Sequence, residues 1–303
     1  MCSSDLVRLV PPVGGVAGGI LGGALYDSLY RLDPSLVPRP LLAAAEPAIS
    51  ADGLTWTIDL HPGALAFQEG TPLLADDVAF SLRLAAAPSC SFARSLCDAT
   101  AESLADVAVA TPSQLVITLA EPDQSFLAEV LAQVPILSEL DVREGTAAIV
   151  VGASGMDAGV PANQLARISD QMAAEDCLSD APPFGCRLSD HIADLERTLA
   201  TAAVTIPDRA GWTDLAGRFD GDRYAADLLD RVAALARVLA GDPDDQPAAA
   251  LPLLDPVTHP IGSGPWRIAS VEPGRAIRLE ANDRHVGGPP SIPRLELRTM
   301  PDP

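Results

Sequence analysis

The chain has 303 residues, a formal net charge of −21 and no lysine, because all 20 of its cationic side chains are arginines. Nucleic acids and anionic membranes are bound by clustered cations, so this charge argues against both classes of partner. Apolar residues make up 48% of the sequence, enough for a sizeable core. The charge is typical of a soluble, self-repelling surface; an acidic cleft for cationic ligands is the alternative interpretation.

The N-terminal segment is apolar but interrupted by glycine and proline, so it does not resemble a membrane-spanning helix. Leu25, Leu29 and Leu32 recur at helical spacing, which predicts a helix over Gly22–Arg31. The segment has no cationic start and no cleavage site, so the protein is either cytosolic or lacks its true start. Met1–Leu6 resembles a translated sequencing adapter and favours the second alternative. We therefore expect a truncated gene, whose signal segment is lost, rather than a lipid-modified Cys2.

The next part of the chain predicts alternating strands and helices. Residues 54–60 alternate in hydrophobicity with period two, which is typical of a strand. Leu74, Val78 and Leu82 recur every four residues, and two aspartates in the first turn favour a helix there. The predicted elements are a strand at 54–60, a helix at 77–87, strands at 104–109 and 115–119, and a helix at 124–134.

Helical periodicity dominates from about residue 141 to 256, and strand patterns nearly vanish. Two amphipathic faces stand out, and the second ends at Gly241 and Pro243, a helix-stop signature. The faces consist of Leu188, Ile192, Leu195 and Leu199, and of Tyr224, Leu228, Val232, Leu235 and Leu239. Strand character returns after His259, with a predicted hairpin over 266–281 and a further strand at 293–299. The chain then stops without a capping element, so we expect truncation at this end as well.

The five cysteines do not form a metal-binding signature. The sequence contains no CxxC, and its four histidines are scattered, whereas zinc sites usually cluster these residues. Two pairs each bracket a short loop, so two local disulfides are expected if the protein is exported. Buried free thiols are the alternative. The candidate disulfide pairs are Cys90 with Cys97 and Cys177 with Cys186.

Three sequence blocks, taken in order, resemble one known family. The first block is LYDSLYRLD at Leu25–Asp33. The second is DGLTWTIDLHPG at 52–63, followed by EGTP at 69–72 and ADDVAFSL at 75–82. The third is PIGSGPWRI at 260–268. Together they are similar to the peptide/nickel-binding family, family 5, of the solute-binding proteins of ABC importers. One departure is Leu74, which stands where the family usually has a threonine N-cap, so another group must cap that helix.

The resemblance implies an α/β fold, a periplasmic-binding-protein-like class II lobe in which helices flank a mixed sheet. We expect Trp56 and the Gly262–Trp266 turn to share that sheet. The division it implies is a first part of the lobe at 7–140, a mainly helical insertion at 141–257 and a return to the lobe at 258–303. The second lobe of the family is missing from this sequence.

The resemblance further implies a binding protein rather than an enzyme. It implies an extracytoplasmic monomer without a cofactor that binds a small solute, a peptide above all, and delivers it to membrane permease subunits. A ligand-sensing regulator with the same fold and a hydrolase with its site in the insertion are the alternatives. By analogy, ligand contacts are expected from the glycine-rich segment and from the loop after the 77–87 helix. The candidate residues are Val13, Gly14, Gly15, Ser89, Ser91 and Phe92.

Overall fold

The computed structural model describes residues 16–62, 65–175, 177, 186–214, 216–254, 262–273 and 275–298. Within these ranges no helix combines the length and hydrophobicity that crossing a membrane requires. The helices are α1 (Val16–Leu25), α2 (Ala75–Ala86), α3 (Arg94–Ser103), α4 (Glu139–Gly152), α5 (Gly159–Ala174), α6 (Leu188–Thr201), α7 (Gly221–Ala240) and α8 (Gln246–Ala250). The strands are β1 (Tyr30–Leu32), β2 (Pro38–Pro40), β3 (Ala48–Ile49), β4 (Thr55–Asp59), β5 (Leu104–Thr111), β6 (Gln114–Leu119), β7 (Trp266–Glu272), β8 (Ala276–Ala281) and β9 (Arg294–Arg298).

Most predicted elements are confirmed, but the first helix is not where its leucine spacing placed it. α1 ends at Leu25, and Tyr30 already lies in β1, which pairs with β2. The Tyr30 side chain is fully buried, and its hydroxyl donates a hydrogen bond to the Ala45 carbonyl at 2.9 Å. Tertiary pairing therefore overrides the local helical spacing. The helix predicted at 124–134 is shortened to a wide π-type turn at Leu127–Leu131.

The strands form three separate antiparallel sheets in the described parts of the chain, not one mixed sheet. Their orders are β1-β2, β3-β4-β6-β5 and β7-β8-β9. Trp56 lies on β4 and Trp266 on β7, so the expectation of a shared sheet is wrong. Short turns join β1 to β2, β5 to β6 and β7 to β8, and such turns impose antiparallel pairing. The two tryptophans nevertheless pack against one hydrophobic core.

Two hydrophobic cores organise the molecule. The first joins α1, α2 and the sheets, and includes Trp56, Phe67 and Phe126. The second is built from α5, α6, α7 and neighbouring residues, and includes Tyr224 and Trp212. Leu254 packs against both cores. The mainly helical part of the chain therefore has its own interior and still contacts the sheet-bearing part.

The helix α2 begins without a side-chain cap at Leu74, as the sequence departure suggested. The amide of Ala75 donates to the carbonyl of Pro112 in the β5–β6 turn at 2.9 Å. Asp77 accepts from the Leu74 amide at 2.8 Å with one carboxylate oxygen and from the Glu139 amide at 2.9 Å with the other. Asp77 thus stabilises the first turn of α2 and fixes the start of α4 beside it.

Candidate ligand-binding site

The three sequence blocks meet at one junction. Gly264 donates its amide to the Leu25 carbonyl at 3.0 Å. Gln68, which precedes the EGTP turn, donates its side-chain amide to the same carbonyl at 3.0 Å and to that of Trp266 at 2.8 Å. Asn282 donates to the Gly264 carbonyl at 2.9 Å. The junction therefore ties the end of α1 to the turn that precedes β7.

A buried ionisable pair, Asp27 and His285, lies beside this junction. His285 Nε2 is 3.2 Å from Asp27 Oδ1, and the two side chains are 6% and 4% exposed. Burial lowers the pKa of His285, but the hydrogen bond and charge of Asp27 and the Gly288 carbonyl outweigh burial and the nearby Arg31, so the net pKa is raised. The pair therefore links the segment after α1 to the β8–β9 turn most strongly when the imidazole is protonated.

We expect the free-energy advantage of the wild type over His285→Gln to depend on pH. Because the folded-state pKa of His285 is raised, its contribution is fully present below the unfolded value of about 6.5 and is lost as pH rises through the folded value. Urea unfolding of both proteins between pH 5 and pH 9 measures the difference. An advantage that stays constant, or that grows with pH, would show that the pair does not act as an ion pair.

The loop after α2 borders an open cavity of about 440 Å³. Phe92, a predicted ligand contact, lines it and is itself 7% exposed. Seven of the nine lining residues are apolar or disulfide-bonded, and the other two are Arg94 and Asp98. The complete lining is Ala86, Ala87, Pro88, Cys90, Phe92, Arg94, Cys97, Asp98 and Ala101.

The predicted disulfide Cys90–Cys97 lies in the wall of this cavity. The two sulfurs are 2.08 Å apart and the two Cα atoms 5.9 Å apart, and the bond joins the loop to α3. Cys177 and Cys186 are likewise joined, with sulfurs 2.10 Å apart. Free thiols, the alternative interpretation, do not describe these pairs. The first disulfide therefore ties the loop that carries Phe92 to α3, and both half-cystines line the cavity.

The two predicted serines do not line the cavity. Ser89 donates its amide and its hydroxyl to the two carboxylate oxygens of Asp245, at 2.8 and 2.5 Å, so its polar groups are already occupied. Ser91 has a buried hydroxyl without a hydrogen-bond partner in the described residues. Val13, Gly14 and Gly15, the other predicted contacts, lie outside the residues that the structure describes. Of the three predicted contacts that the structure describes, Phe92 is the one that lines this cavity.

The charged groups of the cavity are close together and largely exposed to solvent. Arg94 Nε is 3.2 Å from Asp98 Oδ2, and the two side chains are 91% and 56% exposed. An exposed pair one helical turn apart contributes only tenths of a kilocalorie to stability, so both groups remain available to a ligand. Sequence reasoning missed these two residues and Asp245, because none of them follows a recognisable motif. The lining residues therefore form a largely apolar wall with one positively and one negatively charged group.

The comparison with family models covers the second of the three sequence blocks. Residues 37–160 match the family described as "Bacterial extracellular solute-binding proteins, family 5 Middle". This match confirms the family resemblance, and it continues past residue 140 to the beginning of α5. No curated protein sequence matches the chain.

Solved structures of solute-binding proteins share the fold. They include NikZ from Campylobacter jejuni in complex with Ni(L-His) (16% identity, TM-score 0.52, covering 97% of this chain and 37% of that one). The oligopeptide-binding protein AppA from Bacillus subtilis, in complex with a nonapeptide, is 18% identical (TM-score 0.52, 97% and 38%). MoaA from A. tumefaciens R10, in complex with mannopinic acid, is 18% identical (TM-score 0.54, 99% and 39%). The likeness establishes the expected periplasmic-binding-protein fold, and this chain spans about two fifths of the length of these proteins.

Proposed function

We propose that this chain, in which residues 37–160 belong to solute-binding family 5, is the extracytoplasmic capture component of an ABC importer. Its ligand is a short peptide or a similar small solute, received in the cavity between the α2–α3 loop and α3. The observation that carries the proposal is the position of Phe92, which lies in the wall of an open cavity at the loop predicted to contact ligand. Delivery of the solute to membrane permease subunits follows from the same family membership.

The chemistry of the cavity supports a peptide. The apolar wall of Phe92, alanines and a disulfide fits a small apolar side chain, which gains free energy when it leaves water. Arg94 and Asp98 at the rim match a carboxylate and an amino group, the two charges that a short peptide carries. The solved relatives hold ligands as different as a nonapeptide, a nickel–histidine complex and mannopinic acid, so the solute class must come from the lining of this chain.

Binding without chemical conversion fits the same residues. Acid–base and nucleophilic catalysis need a nucleophile, a base and an orienting group within hydrogen-bond reach of one another. The described lining of the cavity offers no such set, since its charged residues are an exposed arginine and an aspartate that pair with each other. The two disulfides suit an oxidising compartment outside the cytoplasm.

An NMR titration of the ¹⁵N-labelled chain with trialanine tests the proposal. We expect the amide signals of residues 86–101 to shift with increasing peptide, and Arg94→Gln to weaken the apparent affinity about threefold to tenfold through loss of a charge-assisted contact. Arg218→Gln is the matched control, because Arg218 forms an exposed pair of the same spacing with Asp214, and neither residue lines the cavity. Shifts confined to other segments, or equal weakening by both substitutions, would contradict the proposed site.

A further inference from the structure

A second cysteine-containing cluster lies where α5 is connected to α6. Glu175 follows the last residue of α5, and Cys177 is disulfide-bonded to Cys186 just before α6 begins. His191, in the first turns of α6, is 3% exposed. Oε2 of Glu175 lies 3.1 Å from His191 Nε2 and 3.7 Å from Cys177 Sγ. One carboxylate oxygen therefore lies next to an imidazole nitrogen and a cysteine sulfur in a largely buried position.

Three of the four candidate ligand atoms of this cluster already lie close together, and the fourth, His191 Nε2, lies 3.1 Å from Glu175 Oε2. Glu175 offers a carboxylate oxygen within 4.8 Å of both sulfurs, and the two sulfurs are also within that distance of each other. With metal bonds of about 2.0 Å to nitrogen or oxygen and about 2.3 Å to sulfur, the ligand atoms of a zinc ion lie roughly 3.3 to 3.8 Å apart. Breaking the disulfide lets the two sulfurs separate to that distance, and the His191 imidazole must then move from its contact with Glu175 toward the two sulfurs.

The charge of the surroundings suits a zinc ion held by these groups. Two thiolates, one carboxylate and one neutral imidazole carry three negative charges, so a bound Zn²⁺ leaves one negative charge. Arg187 supplies the balancing positive charge, since its guanidinium contacts Oε1 of Glu175 at 2.7 Å. Oε2 accepts a hydrogen bond from the Arg187 backbone amide at 2.9 Å and also contacts the histidine and the cysteine. Thiolate, imidazole and carboxylate together favour zinc over the hard cations calcium and magnesium.

We propose that Glu175, Cys177, Cys186 and His191 form a zinc-binding site that becomes available when the Cys177–Cys186 disulfide is reduced. The disulfide and the metal-bound form exclude each other, because the sulfurs that bind the metal are bonded to one another in the oxidised chain. The site is independent of the solute cavity and of the function proposed for it. This cluster was not identified from the sequence because zinc sites usually cluster cysteine and histidine more tightly, although Glu175 lies two residues before Cys177 and His191 five residues after Cys186.

The chemistry of the switch balances with a phosphine as reductant. The phosphine and one water reduce the disulfide to two thiols; phosphorus loses two electrons, the two sulfurs gain them, and the phosphine oxide takes the oxygen. A Zn²⁺ ion then displaces the two thiol protons to solvent and binds the thiolates, without any further change in oxidation state.

Metal binding by a chain that keeps this one cysteine pair tests the proposal. The Cys90→Ser/Cys97→Ser chain is reduced with tris(2-carboxyethyl)phosphine and titrated without oxygen, with Zn²⁺ and with Co²⁺ as a spectroscopic probe. We expect one zinc ion per reduced chain, an intense visible spectrum of tetrahedral cobalt–thiolate, and no stoichiometric binding by the oxidised chain. His191→Gln and Glu175→Gln should each lower the zinc affinity about tenfold or more, because each removes one ligand.

A second comparison keeps the test decisive if the first variant does not fold. The wild-type chain and Cys177→Ser/Cys186→Ser are both reduced, and the wild type should then bind one zinc ion that the variant lacks and that His191→Gln binds less tightly. The proposal is overturned if the reduced wild type binds no stoichiometric zinc, if the oxidised chain binds it equally well, or if neither His191→Gln nor Glu175→Gln changes the affinity.

Discussion

Replacing Gly264 with alanine is expected to lower the free energy of unfolding by about 3 kcal/mol or more, the largest effect of a single substitution that we foresee. A Cβ atom at this position would lie 2.5 Å from the Leu25 carbonyl carbon, 2.6 Å from the Ala24 oxygen and 2.6 Å from the Tyr26 nitrogen. All three are backbone atoms at the end of α1 and cannot rotate away as a side chain can. The substitution must therefore separate the turn before β7 from α1, and it breaks the hydrogen bond from Gly264 to Leu25.

Urea unfolding followed by circular dichroism measures this loss, with Gly155→Ala as the matched control. A Cβ at Gly155 would have no heavy atom within 4 Å, so the control should change stability by less than about 0.5 kcal/mol. Equal stability of Gly264→Ala and the control would contradict the close approach of the two segments, and with it the junction on which the three sequence blocks converge.

Removal of the Cys90–Cys97 disulfide is the second large effect. The bond closes a loop with a sequence separation of 7, and the loss of that constraint on the unfolded chain corresponds to about 2.5 kcal/mol. The Cys90→Ser/Cys97→Ser chain should therefore be less stable by about that amount. It should also bind trialanine less tightly than the wild type, because the loop that positions Phe92 against the cavity is released.

The second disulfide provides the control for that double substitution. Cys177 and Cys186 have a sequence separation of 9, so Cys177→Ser/Cys186→Ser should lose a similar free energy of about 2.5 kcal/mol. It lies in the part of the chain built around the second core, away from the solute cavity. Peptide affinity should thus fall in the first double variant and hold in the second. An equal loss of peptide affinity in both double variants would mean that the lower stability of the chain, and not the cavity wall, governs binding.

Much of the fold could be predicted from local patterns. The alternation of hydrophobicity at 54–60 correctly predicted β4, and the spacing of four residues between Leu74, Val78 and Leu82 correctly predicted α2. Both patterns are visible because each element buries one face on a common core. The spacing of the leucines at 25, 29 and 32 wrongly predicted a helix over Gly22–Arg31. The strand β1 is stabilised there by its pairing with β2 and by the buried Tyr30, and both depend on residues outside that segment. The prediction of a single mixed sheet was wrong for the same reason. The connections and the packing decide which strands pair, and hydrophobic periodicity does not encode either of them.

The candidate site could be predicted only in part. The sequence placed Phe92 and the Cys90–Cys97 pair in the loop after α2, because a family resemblance and a short cysteine spacing are both local signals. It could not show that Ser89 is bound by Asp245, which is far away in sequence and reaches the loop from the segment between α7 and α8. The boundaries at 140, 141, 257 and 258 remain predictions.

The proposed function requires that a solute occupies the cavity beside Phe92. The most direct measurement is the set of intermolecular nuclear Overhauser contacts between unlabelled trialanine and the isotope-labelled chain. We expect contacts from the peptide methyl groups to the Phe92 ring and to the alanines of α2 and α3 that line the cavity. Contacts confined to α5, α6 and α7, with none to Phe92, would contradict the account.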